Sequence, residues 1–256
     1  MKEIEGSDCG WPSPARMPTL SDAVVHVWRA RLDRQAAELA AMERLLSPDE
    51  WSRADHFRFD RDRCQFIAAR ATLRVLLGGY LDIEPAQLRF HYSPQGKPAL
   101  TCTSKPGPLS FNLSHSHAIA LYAVAYNRPL GIDLERIRQD VPYEQIARHV
   151  LSPRENAALH AFPAECRHQA FTSLWTCKEA YAKATGKGLT ASPDQLDVTL
   201  ALGESPQSPS SDGAAGGTMR WSLVTLAPGA GYAGALVAAG FNWRMSCWQW
   251  PGKCPH

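Results

Sequence analysis

Hydrophobic and polar positions follow two different periods along this chain, and each period predicts a different kind of element. Over residues 61–81, Phe66, Ala69 and Leu73 recur at the spacing of one helical face. In the short stretches LSFNLSHS and LGIDLERI, by contrast, apolar and polar side chains alternate, as they do in a strand with one buried face. The pattern therefore predicts a mixture of amphipathic helices and short strands.

The boundaries of these elements follow from local signals. Ser47 before Pro48, with acids in the next turn, is typical of a helix N-terminus. Sequence typical of strands begins at residue 88 and contains a turn at Gly96. After a run of predicted helices, a last pair of strands lies near the C-terminus. The predicted strands are 23–32, 109–116, 119–126, 130–137, 220–228 and 231–239, and the predicted helices are 47–57, 61–81, 143–150, 152–161 and 166–185.

Composition narrows the class of protein. The 256 residues, 45% of them hydrophobic, are enough for one large domain or two small ones, and a net charge of +2 does not favour nucleic acid as a partner. The apolar runs are too short to cross a bilayer, so we expect no membrane partner. Seven cysteines without a CxxC pair and a charged start predict a reduced, cytoplasmic setting.

We expect residues 1–20 to form a loose arm and residues 203–218, which are low in complexity, to form a mobile loop.

Two acidic pairs suggest a charged ligand. Asp133 and Glu135 alternate along a strand and so share one face, and a cation between them would relieve their repulsion. Oxygen ligands of this kind suit Mg²⁺ next to phosphates. Glu179 and Lys183 lie one helical turn apart. Taken singly, each pair also fits a plainer interpretation, an acid-decorated hairpin for the first and a surface ion pair for the second.

Basic residues form a second set of candidates. Residues 51–74 contain six arginines, and Arg63, Arg70 and Arg74 fall on one helical stripe, which fits either a phosphate-binding wall or a solvated helix face. Lys97 lies in the turn QGKP, and SHS places a hydroxyl and an imidazole close to the end of a strand. A zinc site lacks further ligands at a recognisable spacing, and a serine hydrolase lacks its G-x-S-x-G elbow.

The order of these motifs resembles one family. FNLSHS, GIDLE, LSPRE and WTCKEAYAKATGKGL, preceded by the basic helix and GKP, are similar to the 4′-phosphopantetheinyl transferase superfamily, in its long single-chain type that activates peptide and polyketide synthases (the surfactin-synthetase-activating type). The resemblance covers residues 45–200, whereas residues 203–218 and the tail after 241 have no counterpart. It implies an α+β monomer of two pseudo-symmetric halves, 1–129 and 130–256. Each half would be a small, mainly antiparallel sheet packed with helices, with coenzyme A bound in the active-site cleft between them.

The resemblance also implies roles for individual residues. The implied ligands of Mg²⁺, for which Mn²⁺ can substitute, are Asp133, Glu135 and Glu179. The residues implied to contact coenzyme A are Arg53, Arg70, Lys97, Ser114, His115, Asp133 and Lys183, with His115 at the 3′-phosphate. The residues implied to take part in catalysis are Glu155, Glu179 and Lys183. Of the two acids we favour Glu155, acting through an intervening water, as the acceptor of the serine proton, because a metal-bound carboxylate such as Glu179 is a weak base.

The implied reaction transfers the 4′-phosphopantetheine arm of coenzyme A to a serine of an apo acyl or peptidyl carrier protein. Its products are the holo-carrier protein and adenosine 3′,5′-bisphosphate. Two other functions fit the same residues: a Mg²⁺-dependent hydrolase of the coenzyme A pyrophosphate, and a module that docks carrier proteins without chemistry.

Overall fold

Strand pairing divides the chain into two units that are not simply its two halves. The structure, a computed structural model, describes residues 10–101, 107–186, 188, 194, 197–198 and 220–252. The first unit, called here the N-terminal unit, consists of Gly10–Asn127 together with the segment that begins at Arg244. The second, the C-terminal unit, is formed by Arg128–Trp243.

The elements follow one another in a mixed order of helices and strands. The strands are β1 (Val24–Arg31), β2 (Phe90–Tyr92), β3 (Pro98–Leu100), β4 (Leu109–Ser116), β5 (Ile119–Tyr126), β6 (Leu130–Arg136), β7 (Trp221–Leu226), β8 (Tyr232–Ala239) and β9 (Arg244–Gln249). The α-helices are α1 (Ala36–Glu43), α2 (Pro48–Asp55), α3 (Asp60–Leu81), α4 (Tyr143–Val150), α5 (Pro153–Ala161) and α6 (Arg167–Thr185). Single 3₁₀ turns occur at Pro85–Gln87 and Ala164–Cys166.

The N-terminal unit is a four-stranded sheet packed against α3. The strand order is β4-β5-β1-β9, in which β1 pairs antiparallel with β5 and parallel with β9. The core between sheet and helix contains Trp28, Leu73 and Tyr122, all fully buried. The Tyr122 hydroxyl donates to the carbonyl oxygen of Ala69 at 3.0 Å, so its polar atom is satisfied within the core. A separate hairpin, β2–β3, follows α3.

The C-terminal unit is a three-stranded antiparallel sheet in the order β6-β8-β7. Helix α6 packs on β6 and β8. Phe171, Leu174 and Ala180 of the helix join Val237 of β8 in the buried core. Since β6 is an edge strand with α6 against it, the face of β6 that carries residues 131, 133 and 135 is set next to the helix.

Most of the predicted elements are present. The α+β class, with small and mainly antiparallel sheets packed with helices, is confirmed, and strands β4 and β5 have the predicted bounds. Two elements were missed, α1 and β9. Strand β9 lies in the tail that had been assigned to the second half, yet it pairs with β1, and the chain changes unit between Asn127 and Arg128 rather than after residue 129. The predicted loop at 203–218 and the first nine residues of the predicted arm lie outside the described residues. Within those described ranges, no helix is long and apolar enough to cross a membrane.

Candidate functional site

Strand β6 and helix α6 approach each other unusually closely at Gly131. A Cβ atom at this position would lie 2.2 Å from the carbonyl oxygen of Ala180 and 2.3 Å from the backbone nitrogen of Ala184. Only glycine allows such contact between two backbones. Because side chains two residues apart point to the same side of a strand, this contact also brings Asp133 against the last turns of the helix.

The central contact of the site is an ion pair between that strand and that helix. The Lys183 ammonium donates to Oδ1 of Asp133 at 2.7 Å. The Asp133 side chain is 3% exposed and that of Lys183 is 29% exposed, so the pair lies at the edge of the buried region. A charged hydrogen bond there is stronger than one in open water, while the lysine keeps access to solvent.

Glu179 lies one turn before Lys183 and in the electric field of both strand acids. Its carboxyl is half-buried, and burial raises its pKa; the negative charges of Asp133 and Glu135 raise it further, while the Lys183 ammonium opposes them. The structure therefore brings four of the five predicted residues of this unit, all except Glu155, into one cluster. Over the described ranges, however, no group of three His, Cys, Asp or Glu side chains forms a ready-made metal shell. In this structure the cation beside Asp133 is the ammonium of Lys183.

Glu155 lies in the interior of the C-terminal unit. Its carboxylate and the Lys178 ammonium are both 0% exposed and 2.8 Å apart. The same carboxylate accepts hydrogen bonds from the backbone nitrogens of Ser152 and Val198, each at 2.7 Å. With three internal donors and no exposed surface, the carboxylate is held inside the fold and has no direct contact with solvent. In this structure Glu155 therefore has a structural role, and its catalytic role stays a prediction from the sequence.

The arginine stripe of α3 is turned largely inward. Arg70 and Arg74 pair with Glu50 of α2, with Nη2 and Nε respectively 2.5 and 2.6 Å from its carboxylate oxygens. All three side chains are nearly or fully buried. Arg63 pairs with Glu43 at 3.2 Å. The expectation that Arg70 contacts coenzyme A is therefore not supported, because its guanidinium is already engaged inside the fold.

Glu50, Lys178 and the structural role of Glu155 were missed by the sequence analysis. A signal was present for the two acids, because each stands three residues after a helix N-cap serine in the pattern S-P-x-E. In both cases the acid accepts from the backbone nitrogen of that serine, at 3.0 Å for Ser47 and 2.7 Å for Ser152. The pattern indicates a capping box, and hence an acid directed back towards its own helix.

The other phosphate candidates belong to the N-terminal unit and lie at the ends of its elements. Arg53 is exposed near the end of α2, with its guanidinium 5.8 Å from the ring centre of Phe66. Lys97 lies in the β2–β3 turn, where its backbone nitrogen donates to Oγ of Ser93 at 3.1 Å. Ser114 and His115 lie close to the end of strand β4, which ends at Ser116, and the His115 side chain is exposed.

Comparisons with known proteins place the chain among proteins of one family. The family model for the N-terminal part of 4′-phosphopantetheinyl transferases matches residues 30–127, and the model for the 4′-phosphopantetheinyl transferase superfamily matches residues 129–235. The 4′-phosphopantetheinyl transferase HetI of Nostoc sp. is 40% identical over 239 residues, which cover 93% of this chain and 97% of that protein. A phosphopantetheinyl transferase of Thraustochytrium sp. is 28% identical over 70% of this chain and 66% of its own length. The 4′-phosphopantetheinyl transferase of Bacillus subtilis is 27% identical over 68% and 76% of the two chains.

Proposed function

This chain belongs to the 4′-phosphopantetheinyl transferase superfamily, and from that premise we propose how its residues carry out the transfer. The protein transfers the 4′-phosphopantetheine arm of coenzyme A to a serine of a carrier protein. The observation that carries the assignment of the site is the cluster of Asp133, Glu179 and Lys183 at the contact between β6 and α6. It joins two of the family-like motifs, GIDLE and WTCKEAYAK, in one charged patch.

The acids of this patch suit a divalent metal ion. Asp133, Glu135 and Glu179 offer only carboxylate oxygens, which are ligands for Mg²⁺ or Mn²⁺ rather than for zinc or copper. Their mutual repulsion, which reaches Glu179 from both strand acids, is a further reason for a cation to bind there. When bound, such an ion supplies charge neutralisation at the pyrophosphate of coenzyme A.

Besides a bound metal ion, the Lys183 ammonium provides a positive charge next to Asp133. In the reaction the serine oxygen forms a bond to the phosphorus next to the pantetheine arm, and the bridging bond to adenosine 3′,5′-bisphosphate breaks. Negative charge grows on the departing phosphate. An ammonium that moves from Asp133 to that phosphate would stabilise the charge, and Lys183 is close enough to solvent to make this exchange.

We propose that a group other than Glu155 accepts the serine proton. With Glu155 held in its internal ion pair, Glu179 is the remaining side chain of the two considered, and bulk water is the alternative to it. Asp133 and Lys183 orient the reacting groups in either case.

The nucleotide end of coenzyme A is proposed to contact the N-terminal unit. The basic and hydroxyl groups come from Arg53 near the end of α2, Lys97 in the β2–β3 turn, and Ser114 and His115 near the end of β4. Arg70 is removed from this set, because it pairs with Glu50. That the chain acts as a monomer in the cytoplasm stays a prediction from the sequence.

The proposal is tested by incubating the protein with coenzyme A, Mg²⁺ and a panel of apo-carrier proteins, and following the carrier by mass spectrometry. The expected result is a gain of one phosphopantetheine arm on the serine of at least one carrier. Release of adenosine 3′,5′-bisphosphate without a carrier would instead identify a hydrolase. Binding of coenzyme A without any product would leave only the docking function.

A further inference from the structure

A buried acid of α2 joins two arginines of α3. Glu50 is 1% exposed, and its carboxylate accepts from Arg70 and Arg74 and, at 3.0 Å, from the backbone nitrogen of Ser47. Both guanidinium groups are withdrawn from water, with Arg74 at 0% exposure. Planar groups that share one carboxylate in such surroundings leave little freedom of rotation. Glu50 therefore helps to fix the distance and rotation between α2 and α3, and it provides the buried ionic contact between them, while Arg63 contacts Asp55 and Trp51 nearer the surface.

The two arginines extend the connection beyond α3. Nη1 of Arg74 donates to the carbonyl oxygens of Pro85 and Leu88, at 2.9 and 3.1 Å, in the segment that leads into β2. Nη2 of Arg70 donates to the hydroxyl of Tyr92 at 2.9 Å, at the end of β2. A continuous chain of charged hydrogen bonds thus runs from α2 through α3 to the β2–β3 hairpin.

The two elements at the ends of this hydrogen-bond network, α2 and the β2–β3 hairpin, carry the proposed phosphate ligands. Arg53 follows Glu50 by three residues on α2, and Lys97 follows Tyr92 by five residues in the hairpin turn. We propose that Glu50 is a positioning residue for coenzyme A, which sets the spacing between Arg53 and Lys97 without touching the nucleotide. This inference rests on the proposed function, since it takes these two side chains as ligands of coenzyme A. Ligands on separate elements act together only if their supports are rigid relative to one another.

A positioning role and a purely stabilising role predict different kinetics. The test variant is Glu50→Gln, which keeps the size of the side chain but removes the charge between the arginines. Its matched control is Leu73→Ala, a fully buried position on α3 that loses packing without entering the network. Both are assayed well below their melting temperatures. We expect Glu50→Gln to raise KM and Kd for coenzyme A by about fivefold or more, with kcat and KM for the carrier within about twofold.

Leu73→Ala should lose thermal stability but keep its affinity for coenzyme A. Equal affinities in Glu50→Gln and Leu73→Ala would overturn the positioning role. Tyr92→Phe supplies a second test that does not depend on Glu50→Gln folding, because Tyr92 is 37% exposed and its hydroxyl alone is removed. It should weaken coenzyme A binding in the same direction by about twofold, and combining it with Glu50→Gln should add less than the two separate effects.

Calorimetric binding separates failure of this inference from failure of the proposed function. If the wild type binds coenzyme A but transfers nothing to any carrier, the function fails while the Kd comparison still tests Glu50. If the wild type transfers the arm and both variants bind coenzyme A as tightly as the wild type does, the function holds and the positioning role is refuted.

Discussion

The replacement of Glu155 by glutamine decides between a catalytic and a structural acid. In the structure its carboxylate neutralises Lys178 at 2.8 Å, with both side chains at 0% exposure. Glutamine can still accept from the backbone nitrogens of Ser152 and Val198, but it removes the negative charge that lies 2.8 Å from the buried Lys178 ammonium. Breaking a buried ion pair on one side costs about 3–5 kcal/mol. Since a domain is stable by only about 5–15 kcal/mol, the variant should unfold at clearly lower urea concentration and temperature.

The assay measures unfolding and catalysis on the same samples. Urea unfolding without ligands gives the loss of stability, and single-turnover transfer at low temperature gives the rate of the folded fraction. We expect Glu155→Gln to lose about 3 kcal/mol while its folded fraction reacts within about threefold of the wild-type rate, because no proton passes through Glu155.

A matched double variant, Glu155→Gln with Lys178→Met, removes both charges. It should recover much of the lost stability, because replacing a complete buried pair by uncharged groups is often nearly neutral. The structural assignment is refuted if Glu155→Gln unfolds like the wild type yet reacts about 10²-fold more slowly, which is the scale expected for a lost general base.

Three further outcomes are expected. Burial lowers the pKa of His26 to about 4, so the unfolded chain takes up a proton below about pH 6.5 that the folded protein does not accept. The free energy of unfolding should therefore be highest above pH 6.5 and lower by about 2 kcal/mol at pH 5. This loss should be absent in His26→Gln when Tm is measured against pH. Gly131→Ala should lower the free energy of unfolding by about 3 kcal/mol or more and remove most of the activity, because its Cβ would overlap the α6 backbone. The control Gly10→Ala, whose Cβ would have nothing within 4 Å, should match the wild type. Equal melting temperatures of the two variants would contradict the close contact. The wild type should bind dephospho-coenzyme A more weakly than coenzyme A. This difference in affinity should shrink in His115→Ala but persist in His117→Asn, a control in the same hairpin. If the difference is undiminished in His115→Ala, His115 does not contact the 3′-phosphate.

The parts of the fold that sequence alone predicted are those set by local periodicity and local caps. Helix α3 and the β4–β5 hairpin have regular apolar spacing, and α2 and α5 begin with N-cap serines, so each could be read within a window of a few residues. The partners of the capping acids could not be read in this way. Glu50 and Glu155 have the same local pattern whether they face water or, as here, meet buried cations from another helix.

In the candidate site, too, the sequence predicted the features that depend on local spacing but not those that depend on contacts between distant elements. Strand alternation correctly placed Asp133 and Glu135 on one face, and helical spacing placed Glu179 one turn before Lys183. That Lys183 pairs with Asp133, and that Arg70 turns inward, depends on contacts between elements distant in the chain. A stripe of arginines on a helix has the same spacing whether it faces phosphate or a buried acid, so periodicity cannot separate the two.

The parallel pairing of β1 with β9 bears on how the protein is made. As the chain leaves the ribosome, the C-terminal unit, continuous from Arg128 to Trp243, is synthesised in full before β9. The N-terminal unit emerges first but lacks the edge strand next to β1 until residues 244–249 have been translated. Pairing of segments this far apart in sequence is slow, and an uncovered edge strand is prone to pair with other chains. The second unit can thus complete its sheet before the first, so that the order of folding reverses the order of synthesis, and a fragment that stops at Asn127 would carry an open edge at β1.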